Sequence, residues 1–202
     1  MTFAVIPAAG QSIRMGRPKL ALPLGNRTVL EHVLAALQSA GVTPAPVVVG
    51  PHVSELAPLA EAAGAHVLVL AEETADMRAT VEHGLHWLEN RFHPRPDDDW
   101  LLVPADHPAL DAAVILALLQ ARTANPHAGI IVPTHAGQRG HPTLIAWRLV
   151  TGIQQLPRGQ GLNAYLRLHM TETLELPVAS PNVLCDLDTP GDYARLLEEW
   201  DR

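Results

Sequence analysis

Residues 8–19 read Ala8-Ala9-Gly10-Gln11-Ser12-Ile13-Arg14-Met15-Gly16-Arg17-Pro18-Lys19. Two glycines and three cations fall within twelve positions, directly after a short apolar run. Backbone N–H groups in a glycine-bearing turn can point together at an anion, and Arg14 and Lys19 can neutralise phosphate oxygens through charge-assisted hydrogen bonds. The chemistry that suits such a loop is the cradling of a triphosphate. It is not a Walker A loop, because Gly16 is followed by Arg17 and Pro18 rather than Lys and Ser/Thr, and it lacks the spacing G-x-G-x-x-G of dinucleotide folds. The competing reading is a surface loop with incidental charges.

A second candidate is Asp106, in Val103-Pro104-Ala105-Asp106-His107-Pro108. It lies just past a run that reads as a buried strand, where a carboxylate can hold a divalent cation against a triphosphate. The alternative is a turn or helix-cap role, for which Asp111 is better placed. Near the other end of the chain, Asp186 and Asp188 share a face if their segment is extended; capping of the following helix is the rival role for both. His83 and His86 stand three apart on a helix, without a third ligand or an H-E-x-x-H pattern, and read as a solvated face. Cys185, the single cysteine, excludes an intramolecular disulfide and a cysteine zinc cluster, and reads as a small buried filler.

The elements that must position these groups alternate. Phe3 to Ala8 reads as a strand buried on both faces, and Ala9 to Leu24 as a loop without helical period. Thr28 with Glu31 makes a capping box that opens a helix ending near Gly41. Then follow a strand at Pro46 to Val49, a helix from Val53 to Ala63, a strand at His66 to Leu70 and a helix from Met77 to Leu88. Asn90 to Asp99, with Pro94, Pro96 and three aspartates, reads as a loop tip tolerant of change. A strand at Trp100 to Ala105, a helix from Ala112 to Arg122 and a strand at Gly129 to Pro133 come next. The alternation breaks after the turn at Gly137 to Gly140. His141 to Trp147 reads as a hairpin or antiparallel edge strand. Helices at Arg148 to Gln155 and Leu162 to His169, a strand at Thr173 to Val178 and a helix from Pro190 to Trp200 complete the chain. The pattern predicts a single α/β domain over 1–202: a Rossmann-like three-layer fold, its sheet mostly parallel, with an antiparallel strand or hairpin added in the C-terminal third and ligands at the carboxyl ends of the strands.

Composition narrows the function further. The 202 residues are 48% hydrophobic but only 4% aromatic, so the core rests on Ala, Val, Leu and Ile. The net charge of −7 and the lack of a basic run argue against a nucleic-acid partner, and an anionic ligand must be held by a few placed cations. No stretch approaches the ~20 apolar residues of a membrane span. With neither a basic n-region nor a long h-region at Met1 to Pro7, the expectation is a cytoplasmic protein without membrane contact.

In four segments the chain resembles the nucleotidyltransferases that include molybdenum cofactor cytidylyltransferase and molybdenum cofactor guanylyltransferase. These are the loop 8–19, Val103 to Pro108, Arg139-Gly140-His141-Pro142, and Cys185-Asp186-Leu187-Asp188-Thr189-Pro190-Gly191-Asp192-Tyr193, in family order over nearly the whole chain. The resemblance implies that Ala8, Ala9, Gly10, Ser12, Arg14, Lys19, Met77, Thr80 and Ala105 contact the nucleotide. It makes Arg14, Lys19 and Asp106 the catalytic groups and Asp106 and Asp188 the Mg²⁺ ligands, with Asp186 as rival to Asp188. Arg139 and His141 are implied contacts of a phosphorylated small-molecule acceptor, molybdopterin first, although His141 can equally pack beside Pro142.

Related cytidylyltransferases begin the loop with Pro-Ala-Ala-Gly, as Pro7-Ala8-Ala9-Gly10 does here, whereas guanylyltransferases carry Leu-Ala-Gly-Gly. CTP is therefore preferred over GTP, and a transient contact with a molybdoenzyme would follow. Two departures bear on the acceptor. Asp76-Met77-Arg78-Ala79-Thr80 replaces the family's Gly-Met with a downstream Ser, and Gly159-Gln160-Gly161-Leu162-Asn163 replaces Gly-Asp followed by Arg. They motivate two alternatives: a nucleotidyltransferase for a sugar phosphate or other small phosphate, and a non-catalytic cofactor carrier or insertion chaperone of the same fold.

Overall fold

The computed structural model describes residues 1–157 and 159–200. The chain folds in the order β1 (Thr2–Ala8), β2 (Pro23–Leu24), β3 (Arg27–Thr28), α1 (Val29–Ser39), β4 (Pro46–Val49), α2 (Leu56–Ala62), β5 (His66–Val69), α3 (Met77–Phe92), β6 (Asp99–Leu102), α4 (Ala112–Ala124), β7 (Ile130–His135), β8 (Gln138–Arg139), β9 (Thr143–Ala146), α5 (Val150–Gln154), α6 (Leu162–Leu168), β10 (Thr173–Pro177) and α7 (Pro190–Trp200). Eight strands form one sheet in the order β10-β7-β9-β6-β1-β4-β5, with β8 paired to β7. The pairs β1–β4, β1–β6, β4–β5 and β7–β10 are parallel. Those made by β9 with β6 and β7, and by β8 with β7, are antiparallel. The Rossmann-like expectation of a mostly parallel sheet flanked by helices is met.

Period-two alternation sends successive side chains of each strand to opposite faces. On one face Ala4, Ile6, Val47, Val49, Leu101 and Val103 pack with the α1 stripe (Val29, Leu30, Val33, Leu34, Leu37) and with Ile115 and Leu118 of α4. On the other, Phe3, Val5, Val48, Trp100 and Leu102 pack with Val81, Leu85 and Leu88 of α3 and with Ile153, Leu162 and Tyr165. Gly84 brings α3 close to the sheet: a Cβ there would stand 2.6 Å from Val5 Cγ1. That approach seats the middle of α3 against β1 and β4.

The capping box at α1 forms as the sequence predicts, with the Thr28 side chain accepting from the Glu31 N–H and Glu31 accepting from the Thr28 N–H. Three expectations are corrected. First, β9 is not an edge strand: it lies between β6 and β7, and all four of its residues are buried. Its apolar run, Leu144 to Ala146, fits two-sided cover. Second, the surface loop read over 90–99 is shorter and spans 93–98. α3 continues to Phe92, whose ring lies 6.0 Å from that of Phe3, while Asp99 is buried in β6 and paired with Arg122 at 2.8 Å. Third, the hairpin turn is Ala136–Gly137, both at positive φ; a two-residue turn of that handedness matches strand twist. No helix among the described residues is long and apolar enough to cross a membrane.

Candidate active site

The carboxyl ends of β6, β1, β4 and β5 open into a cleft of about 500 Å³. Its floor is Pro7, Ala8, Ala9 and Gly10, where β1 ends. The loop that follows winds about Ser12, a non-glycine residue in the left-handed region (φ 51°). The Ser12 carbonyl accepts from the N–H groups of Met15 and Gly16, at 3.0 and 3.1 Å, and its hydroxyl accepts from the Lys19 N–H at 3.3 Å. Gly16 sits at φ 69°, a conformation that costs a glycine little. The loop without helical period thus holds two 3₁₀ turns, Ile13–Met15 and Lys19–Ala21, and the second presents the Lys19 side chain to the cleft.

Lys19 joins acids far apart in sequence. Its Nζ donates to Asp106 Oδ2 at 2.6 Å and to Asp188 Oδ1 at 2.9 Å, while Arg14 Nη2 lies 2.8 Å from Asp188 Oδ2. Burial opposes the charge on Lys19, but the two carboxylates outweigh it and hold the ammonium above its usual pKa. At Asp188 burial works upward, and the bonds from Lys19 with the Arg14 guanidinium carry the carboxyl below its usual range. Lys19 is only 15% exposed and Arg14 72%, so Lys19 is the more buried member of the cationic pair.

Backbone contacts explain how Asp188 reaches this place. The Leu187 N–H donates to the Asp106 carbonyl at 3.0 Å, and the His141 N–H donates to the Val183 carbonyl at 2.8 Å. A Cβ on Gly140 would stand 2.3 Å from that Val183 oxygen, which accounts for glycine in Arg139-Gly140-His141-Pro142. The helix-cap role does not fall to Asp186 or Asp188: Thr189 and Asp192 cap α7 reciprocally, Asp192 Oδ2 accepting from the Thr189 N–H at 2.8 Å and Thr189 Oγ1 from the Asp192 N–H at 3.2 Å. Asp188 is left for the cleft, whereas Asp186 is exposed and outside its lining. Asp111 caps α4, accepting from the Ala113 N–H at 2.8 Å, which frees Asp106 in the same way. Asp76, the departure before α3, caps that helix through the Ala79 N–H at 2.8 Å.

Of the other sequence candidates, Ala8, Ala9, Gly10, Ser12, Met77, Thr80 and Ala105 line the cleft. Arg139 and His141 do not. Arg139 pairs with Glu175 at 2.7 Å on the far strands. The His141 ring lies edge-on to that of His107, with centroids 5.3 Å apart, and burial lowers the His141 pKa to about 4, with His107 adding to the effect. His83 and His86 are exposed on α3, as the sequence suggests; Cys185 is exposed rather than buried, because Val183 and Leu187 take the inward positions on its segment.

Sequence reasoning did not single out Gln11, His52, Glu73 or Thr74, which also line the cleft. His52 and Glu73 each follow a strand of the parallel half, and that position was the available signal. Among the described residues no group of three or more His, Cys, Asp or Glu side chains gathers to hold a metal. Asp106 and Asp188 do converge on one point, the Lys19 ammonium, and two hard oxygen donors with that convergence suit a divalent cation that takes its remaining ligands from phosphate and water.

A glycine-bearing turn, two cations and two acids gathered at the carboxyl edge of a mostly parallel sheet define the nucleotidyltransferase class of α/β protein. Residues 4–174 match the model of the MobA-like NTP transferase domain, and the chain belongs to that family. Asp188 lies beyond the matched segment and joins the site through its geometry. No curated protein matches the chain. Among solved structures it is similar to Rv0371c of Mycobacterium tuberculosis H37Rv, at 28% identity over 98% of this chain and 99% of that one, with TM-score 0.82. A complex of Rv0371c with manganese matches at 27% identity, over 98% and 97% of the two chains, with TM-score 0.76. A nucleotidyl transferase from Methanothermobacter shares the fold, at 22% identity over 100% and 98%, with TM-score 0.82.

Proposed function

We propose that the protein is a cytoplasmic, Mg²⁺-dependent enzyme that transfers a nucleoside monophosphate, CMP from CTP by preference, to the phosphate of a small acceptor, molybdopterin or the molybdenum cofactor first. The observation that carries this reading is the convergence of Lys19 on Asp106 and Asp188, with Arg14 on the second acid. Pro7-Ala8-Ala9-Gly10 on the cleft floor supports CTP, and the manganese complex of Rv0371c supports a divalent ion. Asp106 and Asp188 would hold that ion, which when bound neutralises charge on the triphosphate and on the departing pyrophosphate.

The chain's own groups do the rest. Lys19 and Arg14 exchange carboxylate partners for phosphate oxygens, fixing the triphosphate over the turn. An ionised oxygen of the acceptor phosphate attacks the α-phosphorus; the new P–O bond forms as the bond to the bridging oxygen breaks, and that electron pair leaves on pyrophosphate. The nucleophile is ionised at neutral pH and needs no general base. Lys19, kept cationic by its setting, meets the negative charge that builds in the transition state.

A second acceptor class, a sugar phosphate or other small phosphate monoester, is favoured by one observation: Arg139 is engaged by Glu175 instead of facing the cleft. The test is pyrophosphate release with Mg²⁺, each of ATP, CTP, GTP and UTP, and a panel of phosphate monoesters that includes molybdopterin. CTP-dependent release with molybdopterin is expected, and Asp106→Ala should lower it by about 100-fold or more with unchanged melting. Release with CTP and another monoester alone would move the acceptor to the second class. Binding of CTP without release from any pair would favour a carrier, and unchanged turnover in Asp106→Ala would reject the role of that acid.

A further inference from the structure

The strands beneath the cleft are neighbours in the order β6-β1-β4-β5. Asp106 follows β6 and Glu73 follows β5, so three strand spacings, about 14 Å in all, separate the two ends along the sheet edge. Arg14, Lys19, Asp106 and Asp188 occupy the first end. Gln11, His52, Glu73, Thr74 and Thr80 line the second.

Glu73 is out of place in a cleft built only for a polyanion. Asp106 and Asp188 are met by Lys19, and Asp76 is engaged by a helix N–H. Among the described residues no lysine or arginine meets Glu73. Its Oε1 accepts from Gln11 Nε2 at 3.0 Å and lies 3.3 Å from His52 Nδ1. His52 is itself held at the end of β4: a Cβ on Gly50 would stand 3.0 Å from His52 Cε1 and 3.3 Å from Ala9 Cβ. A carboxylate repels phosphate, so it belongs at the end of the cleft away from the phosphates and facing a donor on the ligand.

Glu73 Oε2 and the second amide hydrogen of Gln11 take part in none of these contacts, and they set an acceptor beside a donor. Cytosine presents the complement, an exocyclic amine next to the N3 acceptor. Uracil presents the reverse, an O4 acceptor next to an N3–H donor. We infer that Glu73 and Gln11 read the base edge of the nucleotide and select cytosine over uracil, with His52 as the positioning residue for Glu73. The inference rests on the nucleotidyltransferase reading and adds the residues that choose the base.

The experiment is equilibrium binding of CTP and of UTP by titration calorimetry with Mg²⁺ and without acceptor, on the wild-type chain, Glu73→Gln and His52→Ala. Glu73 is 58% exposed, so its replacement should leave the fold intact. The wild-type chain should favour CTP by at least about tenfold, as a site built to meet a polar group discriminates against the analogue lacking it. Glu73→Gln should erase most of that ratio by weakening CTP while leaving UTP unchanged or tighter, and His52→Ala should shift the ratio the same way by less. Equal weakening of both nucleotides, or an unchanged ratio, would overturn the base-reading role and leave the nucleotidyltransferase reading standing. Binding of neither nucleotide by the wild-type chain would overturn both.

Discussion

The sheet has two halves that differ in construction. β5, β4, β1 and β6 are parallel neighbours, and each carboxyl end delivers part of the cleft wall: Glu73, His52, the 8–19 loop and Asp106. β9, β7, β8 and β10 mix directions, and among the described residues none of 107–187 lines the cleft. A parallel array puts all of its strand-to-helix loops on one edge, so residues scattered from 7 to 106 meet without special contacts. The mixed half contributes otherwise. Its strand β9, antiparallel to β6, starts at the carboxyl end of β6 and sets His141 behind Asp106; the 181–188 segment is then bonded through Val183 to His141 and through Leu187 to Asp106. One half lines the cleft, and the other braces it and delivers Asp188.

The largest effect that would sharpen this division is expected at Lys19, whose side chain is bonded to acids from both halves. Lys19→Ala should lower pyrophosphate release by about 100-fold, whereas Arg139→Ala, in the mixed half, should change CTP binding by less than about twofold, as surface ion pairs contribute little. A loss of CTP affinity in Arg139→Ala comparable with that in Lys19→Ala would break the division.

The smallest effect concerns the α7 cap. The bonds from the Thr189 hydroxyl and N–H hold Asp192 at about 2. A folded value below the unfolded one near 3.8 means that the cap stabilises fully above about pH 4, and that this contribution fades as pH falls towards 2. Asp192→Ala should cost ~1 kcal/mol near neutral pH, a drop of about 2–4 °C in Tm. The gap between the two melting curves should narrow between pH 4 and pH 2; a gap constant across that range would contradict the assignment.

The parallel half was readable because each of its elements carries its own local signal. Phe3 to Ala8 alternates between two buried faces, Thr28 and Glu31 mark a helix start, and the loop 8–19 lies where a strand ends. The mixed half depends on pairings distant in sequence. That β9 slots between β6 and β7 is a tertiary fact, foreshadowed only by the unbroken apolar run of 144–147, which an edge strand has no need of. The segment of Asp188 left a cleft position and a helix cap both open, and the cap falls to Thr189 and Asp192, whose reciprocal bonds leave Asp188 in the cleft. Arg139 shows the opposite case: a motif residue whose neighbour Glu175, 36 positions away, takes its charge. Gln11 and Glu73 were missed because their pairing spans 62 positions and neither stands in a recognisable pattern alone.

The most direct test of the central claim, that Asp106 and Asp188 hold one divalent ion against a bound triphosphate, is Mn²⁺ binding followed by electron paramagnetic resonance with and without CTP. The wild-type chain should take up one ion whose affinity rises when CTP is present, and Asp106→Ala and Asp188→Ala should each weaken that CTP-dependent binding by at least about tenfold. Mn²⁺ binding with CTP that neither substitution alters would contradict the account.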